Sequence, residues 1–178
     1  EARNNIRYAL SNLRGVIHDR DVAPSFLNIS RDVIQFNTNS DYWLDIESFS
    51  KAISLPSIDE TTVQQVEESV QFCQGNFLEG FSIDGSVEFD EWILLNREKF
   101  NRQLVEVLHH LTTYFEGKGD FDRAIIHTRH QVELDPWSET VHRQLMRLLA
   151  FNDQRSAAII QYETLSSILK EELDAEPE

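Results

Sequence analysis

The sequence predicts a mainly α-helical protein in which one helix and one β-hairpin precede an array of paired helices. Three observations carry this prediction. Apolar residues recur at helical spacing over most of the 178 residues, one short segment alternates apolar and polar residues, and two segments 34 residues apart are alike. Hydrophobic residues make up 40% of the chain, which suffices for an ordinary core.

The charge is unevenly distributed along the chain, whose formal net charge is −15. Residues 1–36 hold five basic and four acidic side chains, whereas residues 37–178 hold 11 basic and 27 acidic ones. The acidic part would repel nucleic acid and the first part would not. The two parts are therefore expected to have different partners.

Composition excludes several classes of protein. Cys73 is the only cysteine, which rules out a disulfide framework and a cysteine-based zinc site. No apolar run approaches the roughly 18 residues of a membrane span, and no signal peptide opens the chain. We therefore expect a cytoplasmic protein with no membrane partner. Because the chain starts without Met and in what reads as mid-helix, we expect a fragment of a longer protein.

The first element is a basic amphipathic helix over residues 2–18. Ile6, Leu10, Leu13 and Ile17 form an apolar stripe that must pack on the hairpin, the helical part or another copy. The opposite face carries polar side chains, and the helix contains three arginines and no acid. Arginine and asparagine can read base edges while flanking arginines contact phosphates, so this pattern is typical of a DNA recognition helix. A surface helix with solvated arginines is the alternative.

The second element is a β-hairpin within residues 26–37. Leu27 and Ile29 alternate with polar residues on one strand, as do Ile34 and Phe36 on the next, around a turn that contains Arg31. A helix followed closely by a hairpin is the C-terminal half of a winged helix-turn-helix, so residues 1–44 are predicted to be a partial winged-helix segment. A hairpin that merely covers a helical core is the alternative.

Residues 45–178 are predicted to form a separate, tetratricopeptide-like helical domain. Helices are expected over 45–53, 56–73, 88–116, 120–134, 138–151 and 153–173, with a loop over 74–87. Ser57 and Glu60 have capping-box spacing for the second of these. The segments 119–136 and 153–170 align with Ala124 and Ala158 matched, and 34 residues is the tetratricopeptide period. Such an array buries a continuous core and offers a concave face to partners.

The sequence resembles the SARP-type bacterial transcriptional activators, which consist of an OmpR-like winged helix and a bacterial transcriptional activator domain. The resemblance covers nearly the whole chain and rests on the segments ARNNIRYALSNLR, SDYWLDIESF, GNFLEGF, FDEWILLNREKF, LDPWSETVHRQLMRLL and RSAAIIQYETLSSILKEEL. It implies promoter binding by the winged helix and transcriptional activation through contacts with RNA polymerase or another protein. The family has a β-sheet and two helices before its recognition helix, and the second strand of its wing commonly contains a Gly-Tyr pair, whereas this strand reads VIQFN.

Helical geometry and this resemblance together give the candidate DNA-binding residues: Arg3, Asn4, Arg7, Tyr8, Ser11 and Arg14 from the helix, and Arg31 from the wing. Catalytic residues, cofactors and metals are not predicted. His127, His130 and Glu133 have a spacing at which they could share a metal ion, but solvated helix histidines are far more common. The alternative function is a protein-interaction module of a larger signalling protein with no DNA binding of its own. A homodimer through the apolar stripe is a further option that the sequence leaves open.

Overall fold

A computed structural model describes residues 2–55, 57–73 and 75–177 of the chain. It divides the chain into two compact units, Glu1–Leu44 and Asp45–Glu178, which we call the N-terminal unit and the helical unit. The described elements are α1 (Ala2–Val16), β1 (Leu27–Ile29), β2 (Ile34–Phe36), α2 (Asp45–Ile53), α3 (Val63–Gln71), α4 (Val87–Lys118), α5 (Phe121–Leu134), α6 (Glu139–Phe151) and α7 (Arg155–Leu173). The predicted mainly helical class is thus confirmed.

Helix α1 ends two residues earlier than its sequence predicts. The backbone of His18 has φ of 53°, a left-handed conformation that a continuing helix does not allow. The amide of Asp19 donates to the carbonyl of Arg14 at 3.0 Å, which closes the last turn. Residues 17–20 therefore form turns, and this change of direction leads the chain toward the hairpin.

The predicted hairpin is present as two short antiparallel strands. Leu27 is paired with Phe36 and Ile29 with Ile34, which places these four side chains on one face. The connecting turn contains no glycine. It is closed by Ser30, whose amide donates to the Val33 carbonyl at 2.9 Å and whose hydroxyl accepts from the Val33 amide at 3.1 Å. The serine hydroxyl thus adds a local side-chain bond to the backbone bond that closes the turn.

The predicted start of the third helix was wrong. The sequence suggested a capping box at Ser57 and Glu60, but α3 begins at Val63. The Asp59 carboxylate accepts hydrogen bonds from the amides of Thr61 and Thr62, so the residues before the helix form a turn. Glu60 instead pairs with Lys118, at the end of α4.

Helices α4 to α7 form a succession of neighbouring pairs, α4 with α5, α5 with α6, and α6 with α7. Gly119 ends α4 with φ of 74°, and the Asp120 side chain caps α5 by accepting from the Arg123 amide at 3.2 Å. Ser138 occupies the predicted cap position of α6 without a side-chain cap bond. The core joins these helices to α2 and α3 and includes Phe49, Val66, Leu104, Leu108, Leu111, Phe115, Ala124, Leu145, Leu148 and Leu149.

A small polar cluster lies between α4 and α5 inside this apolar core. Gln131 donates through Nε2 to the hydroxyl of Thr112 at 2.9 Å, and the Thr112 and Thr128 hydroxyls are 3.3 Å apart. Thr128 donates to the carbonyl of Ala124. All three side chains are buried, so these bonds satisfy polar groups that water does not reach.

His142 joins α6 to the connection that precedes it and to α7. Its Nε2 lies 3.1 Å from the carbonyl oxygen of Pro136, and its Nδ1 lies 2.8 Å from Nε2 of Gln161 on α7. A carbonyl only accepts and an amide nitrogen only donates, so Nε2 carries the proton and the ring is neutral. Burial lowers the pKa of His142 and outweighs the opposite effects of the Pro136 bond and the Asp135 charge.

Candidate nucleic-acid interface

The polar face of α1 is exposed within the described chain. Asn4, Arg7, Tyr8 and Ser11 are all exposed, and Tyr8 retains 75% of its accessible surface. These residues are three or four positions apart, so they share one face of the helix. Arg3 belongs to the helix, but its side chain lies outside the described ones.

This face has the composition that base reading requires. Arginine can donate two hydrogen bonds to guanine, asparagine can pair with adenine, and hydroxyls can bond to bases or phosphates. Helix α1 contains no acidic residue, so no carboxylate of its own opposes a phosphate. At 1.5 Å per residue the helix is about 22 Å long. With its side chains an α-helix is about 10–12 Å in diameter, which the major groove of about 12 Å admits.

Arg14 takes part in an ion pair inside the N-terminal unit. Its Nε donates to Oδ2 of Asp19 at 2.6 Å, and its side chain is 29% exposed. The other carboxylate oxygen of Asp19 accepts from the amide of Leu27, at the start of β1, at 2.9 Å. Arg14 therefore has a structural bond in addition to the DNA contact that the sequence predicts for it, and that contact stays a prediction.

Asp19 is the residue of this region that sequence reasoning missed. Its side chain is fully covered by neighbouring groups. Burial by itself would raise the pKa of Asp19, but the hydrogen bonds from Arg14 and from the Leu27 amide hold it below the usual value. Asp19 is therefore a carboxylate that accepts hydrogen bonds from two different elements.

Arg31 occupies the tip of the hairpin turn and is exposed. At about 3.3 Å per residue, the tip lies about 13 Å along the strand from Leu27. The other end of the hairpin is held by Asn37, which is buried and donates through Nδ2 to the carbonyl of Ser25 at 2.7 Å. The Asn37 carbonyl accepts from the hydroxyl of Ser40 at 2.6 Å. The tip thus projects from a base that is fixed by hydrogen bonds.

The apolar stripe of α1 is only partly covered. Leu10 and Ile17 are half-buried, whereas Ile6 is 57% exposed and Leu13 is 46% exposed. The sequence suggested that the whole stripe packs on another element, and the described residues of the N-terminal unit provide only part of that cover.

His127 of α5 lies in a polar cluster with Arg123 and with Glu67 of α3. His127 lies 3.0 Å from Glu67 of α3, and Arg123 lies 3.4 Å from the same carboxylate. Burial lowers the pKa of His127 against the raising effect of Glu67. Among the residues that the structure describes, no group of three His, Cys, Asp or Glu side chains is suited to hold a metal ion.

Cys73 is half-buried. Burial, together with the nearby Asp45 charge, raises the pKa of its thiol to about 11. The thiolate is the nucleophilic form, so this cysteine is a poor nucleophile at neutral pH.

The family model of the bacterial transcriptional activator domain matches residues 50–178 of this chain. Neither the curated proteins nor the solved structures contain a significant match. In the described part of the chain, no helix combines the length and the apolar character needed to cross a membrane.

Proposed function

The chain belongs to the bacterial transcriptional activator domain family, and on that premise we propose that it acts within a SARP-type activator that binds promoter DNA through its N-terminal unit. The family consists of transcriptional regulators and is not an enzyme family. The single observation that carries the DNA-binding proposal is the exposed, acid-free polar face of α1, which a hairpin with an exposed arginine at its tip follows closely.

In this proposal α1 is the recognition helix of an OmpR-like winged helix and the hairpin is its wing. Bases and phosphates are contacted by Arg3, Asn4, Arg7, Tyr8, Ser11 and Arg14 of α1 and by Arg31 of the wing. The exposure of Asn4, Arg7, Tyr8, Ser11 and Arg31 supports these assignments. Residues 45–178 carry 26 acidic and only 11 basic side chains, so they are poorly suited to bind DNA themselves.

The helical unit is proposed to be tetratricopeptide-like and to bind RNA polymerase, another protein or a second copy of the chain. The 34-residue repeat and the successive pairing of α4 to α7 support this architecture. Ala124 is completely buried and its repeat partner Ala158 is half-buried, as expected for small residues where paired helices approach closely. Exposed apolar side chains such as Leu94, Leu95 and Ile159 provide surface for a protein partner.

Substitution of Arg7 tests the DNA-binding proposal. In the natural protein that contains this sequence, Arg7→Ala should weaken binding to a duplex selected from a random pool by about 1–3 kcal/mol, the value of a good base contact. Arg20→Ala is the matched control. Arg20 is an exposed arginine in the turn after α1, and its substitution removes the same charge as Arg7→Ala. Equal affinities for the two variants would remove Arg7 from the proposed interface.

A protein-interaction module without DNA binding is the second candidate. The strongly acidic helical unit and its exposed apolar side chains favour it. In that case α1 would be a solvated surface helix, and duplex binding would be absent or independent of Arg7. The two candidates therefore differ in the salt dependence of binding to duplex DNA.

A further inference from the structure

The buried carboxylate of Asp19 connects α1 to β1, the two elements of the N-terminal unit that are proposed to bind DNA. One oxygen accepts from Arg14, in the last turn of α1, and the other accepts from the amide of Leu27, the first residue of β1. Both bonds are short, at 2.6 and 2.9 Å, and both involve an ionised acceptor, which makes them stronger than neutral bonds. The pKa of Asp19 lies below its usual value, so the carboxylate stays charged at neutral pH.

The position of this connection determines how it affects the wing. Leu27 is close to the base of the hairpin and Arg31 is at its tip, about 13 Å away along the strand. A tilt of about 10° around the Leu27 anchor moves the tip by about 2 Å, which is comparable to the 2.7–3.2 Å length of a hydrogen bond. A small change in the tilt of the hairpin at its base is thus enough to separate the Arg31 guanidinium from a phosphate.

We propose that Asp19 is a positioning residue that sets the orientation of the hairpin relative to α1, so that Arg31 and the polar face of α1 engage the same DNA duplex. This inference rests on the proposed function. Asp19 itself does not contact DNA, because its side chain is fully covered. Arg14 contributes by holding the carboxylate from the side of the helix.

The inference is tested without DNA by measuring the distance between α1 and the hairpin tip. Spin labels are attached to cysteines introduced at Asn12 and Asp32, both exposed, in a Cys73→Ser background. Asp19→Asn should broaden the distribution of distances between the two labels. Asp21→Asn is the matched control, since Asp21 is exposed, lies two residues away and loses the same charge. An identical distribution in Asp19→Asn and Asp21→Asn overturns the proposal.

A double-mutant cycle on duplex binding tests the consequence for Arg31. With the selected duplex and the natural protein, Arg31→Ala should reduce affinity about fivefold and lower the salt slope by about one. In the Asp19→Asn background the same substitution should reduce affinity by less than about twofold and leave the salt slope unchanged. An equal effect of Arg31→Ala in both backgrounds contradicts the positioning role. A residue that only stabilises the fold would leave the effect of Arg31→Ala on affinity and salt slope unchanged.

Two controls keep the outcomes distinct. If circular dichroism shows that Asp19→Asn loses the helicity of α1, the Asp19→Glu variant is used instead. Glutamate keeps the charge and changes only the reach of the carboxylate. Absence of any salt-dependent duplex binding by the wild-type protein would refute the proposed function. The spin-label distances would then decide separately whether Asp19 orients the hairpin.

Discussion

Removal of the His142 side chain should destabilise the helical unit strongly. The ring is buried and bonds to the Pro136 carbonyl on one side and to the Gln161 amide on the other. His142→Ala leaves both groups without their partner, at a cost of about 1 kcal/mol each, the low end of the range because Pro136 and Gln161 are partly exposed. The cavity left by a mid-sized side chain adds about 2 kcal/mol. The expected loss in the free energy of unfolding is therefore about 4 kcal/mol.

Urea unfolding followed by circular dichroism at pH 7.5 measures this loss, since the helical unit contains six of the seven described helices. His109→Ala is the control, because His109 is an exposed histidine on α4 and its replacement should change the free energy by less than about 0.5 kcal/mol. A loss below about 1 kcal/mol for His142→Ala, or one equal to that of His109→Ala, would refute the reasoning.

The remaining predictions concern pH, the buried threonines and the cysteine. The pKa of His142 is lower in the folded protein than in the unfolded chain. Its contribution to the free energy of unfolding is therefore fully present above pH 6.5 and is lost as the pH falls through the folded pKa. In His142→Asn, the free energy of unfolding in urea should depend less on pH between 7 and 5. Thr112→Val leaves the Gln131 amide unpaired and should cost about 1–3 kcal/mol in the same urea assay, whereas Thr113→Val at an exposed position should cost much less. Cys73, with a pKa of about 11, should react with iodoacetamide at pH 8 about 100-fold more slowly than a free thiol, and comparable rates would contradict its burial.

Periodicity predicted the elements of the fold because it depends on which residues are apolar and where they recur. The long helix α4 and the pairs that follow it were visible in this way, as was the alternation of Leu27 and Ile29 against Ile34 and Phe36. The start of α3 was not. The Asp59 carboxylate accepts from the Thr62 amide while the Thr62 hydroxyl accepts from the Asp59 amide, and a capping motif read from spacing alone cannot reveal that this reciprocal pair, rather than Ser57 and Glu60, precedes the helix.

The polar contacts of the N-terminal unit could not be predicted from the sequence. Asp19 is buried only because the chain turns at His18 and brings the start of β1 next to the end of α1. That arrangement depends on a left-handed residue in the connection, which no periodic pattern indicates. The exposed face of α1 was visible because it follows helical spacing, whereas the second bond of Arg14 to Asp19 required the structure.

A salt titration of duplex binding tests most directly the central claim that α1 and the hairpin bind DNA. The natural protein that carries this sequence is titrated with a fluorescent duplex of promoter length at a series of salt concentrations. The account predicts that the logarithm of the affinity falls steeply with the logarithm of the salt concentration, by about 0.9 for each phosphate contacted. The slope should decrease by about one in Arg31→Ala, because Arg31 is proposed to contact a phosphate. A wild-type protein that binds no duplex, or binds it without salt dependence, would contradict the assignment of α1 and the hairpin to DNA and would favour a protein-interaction module.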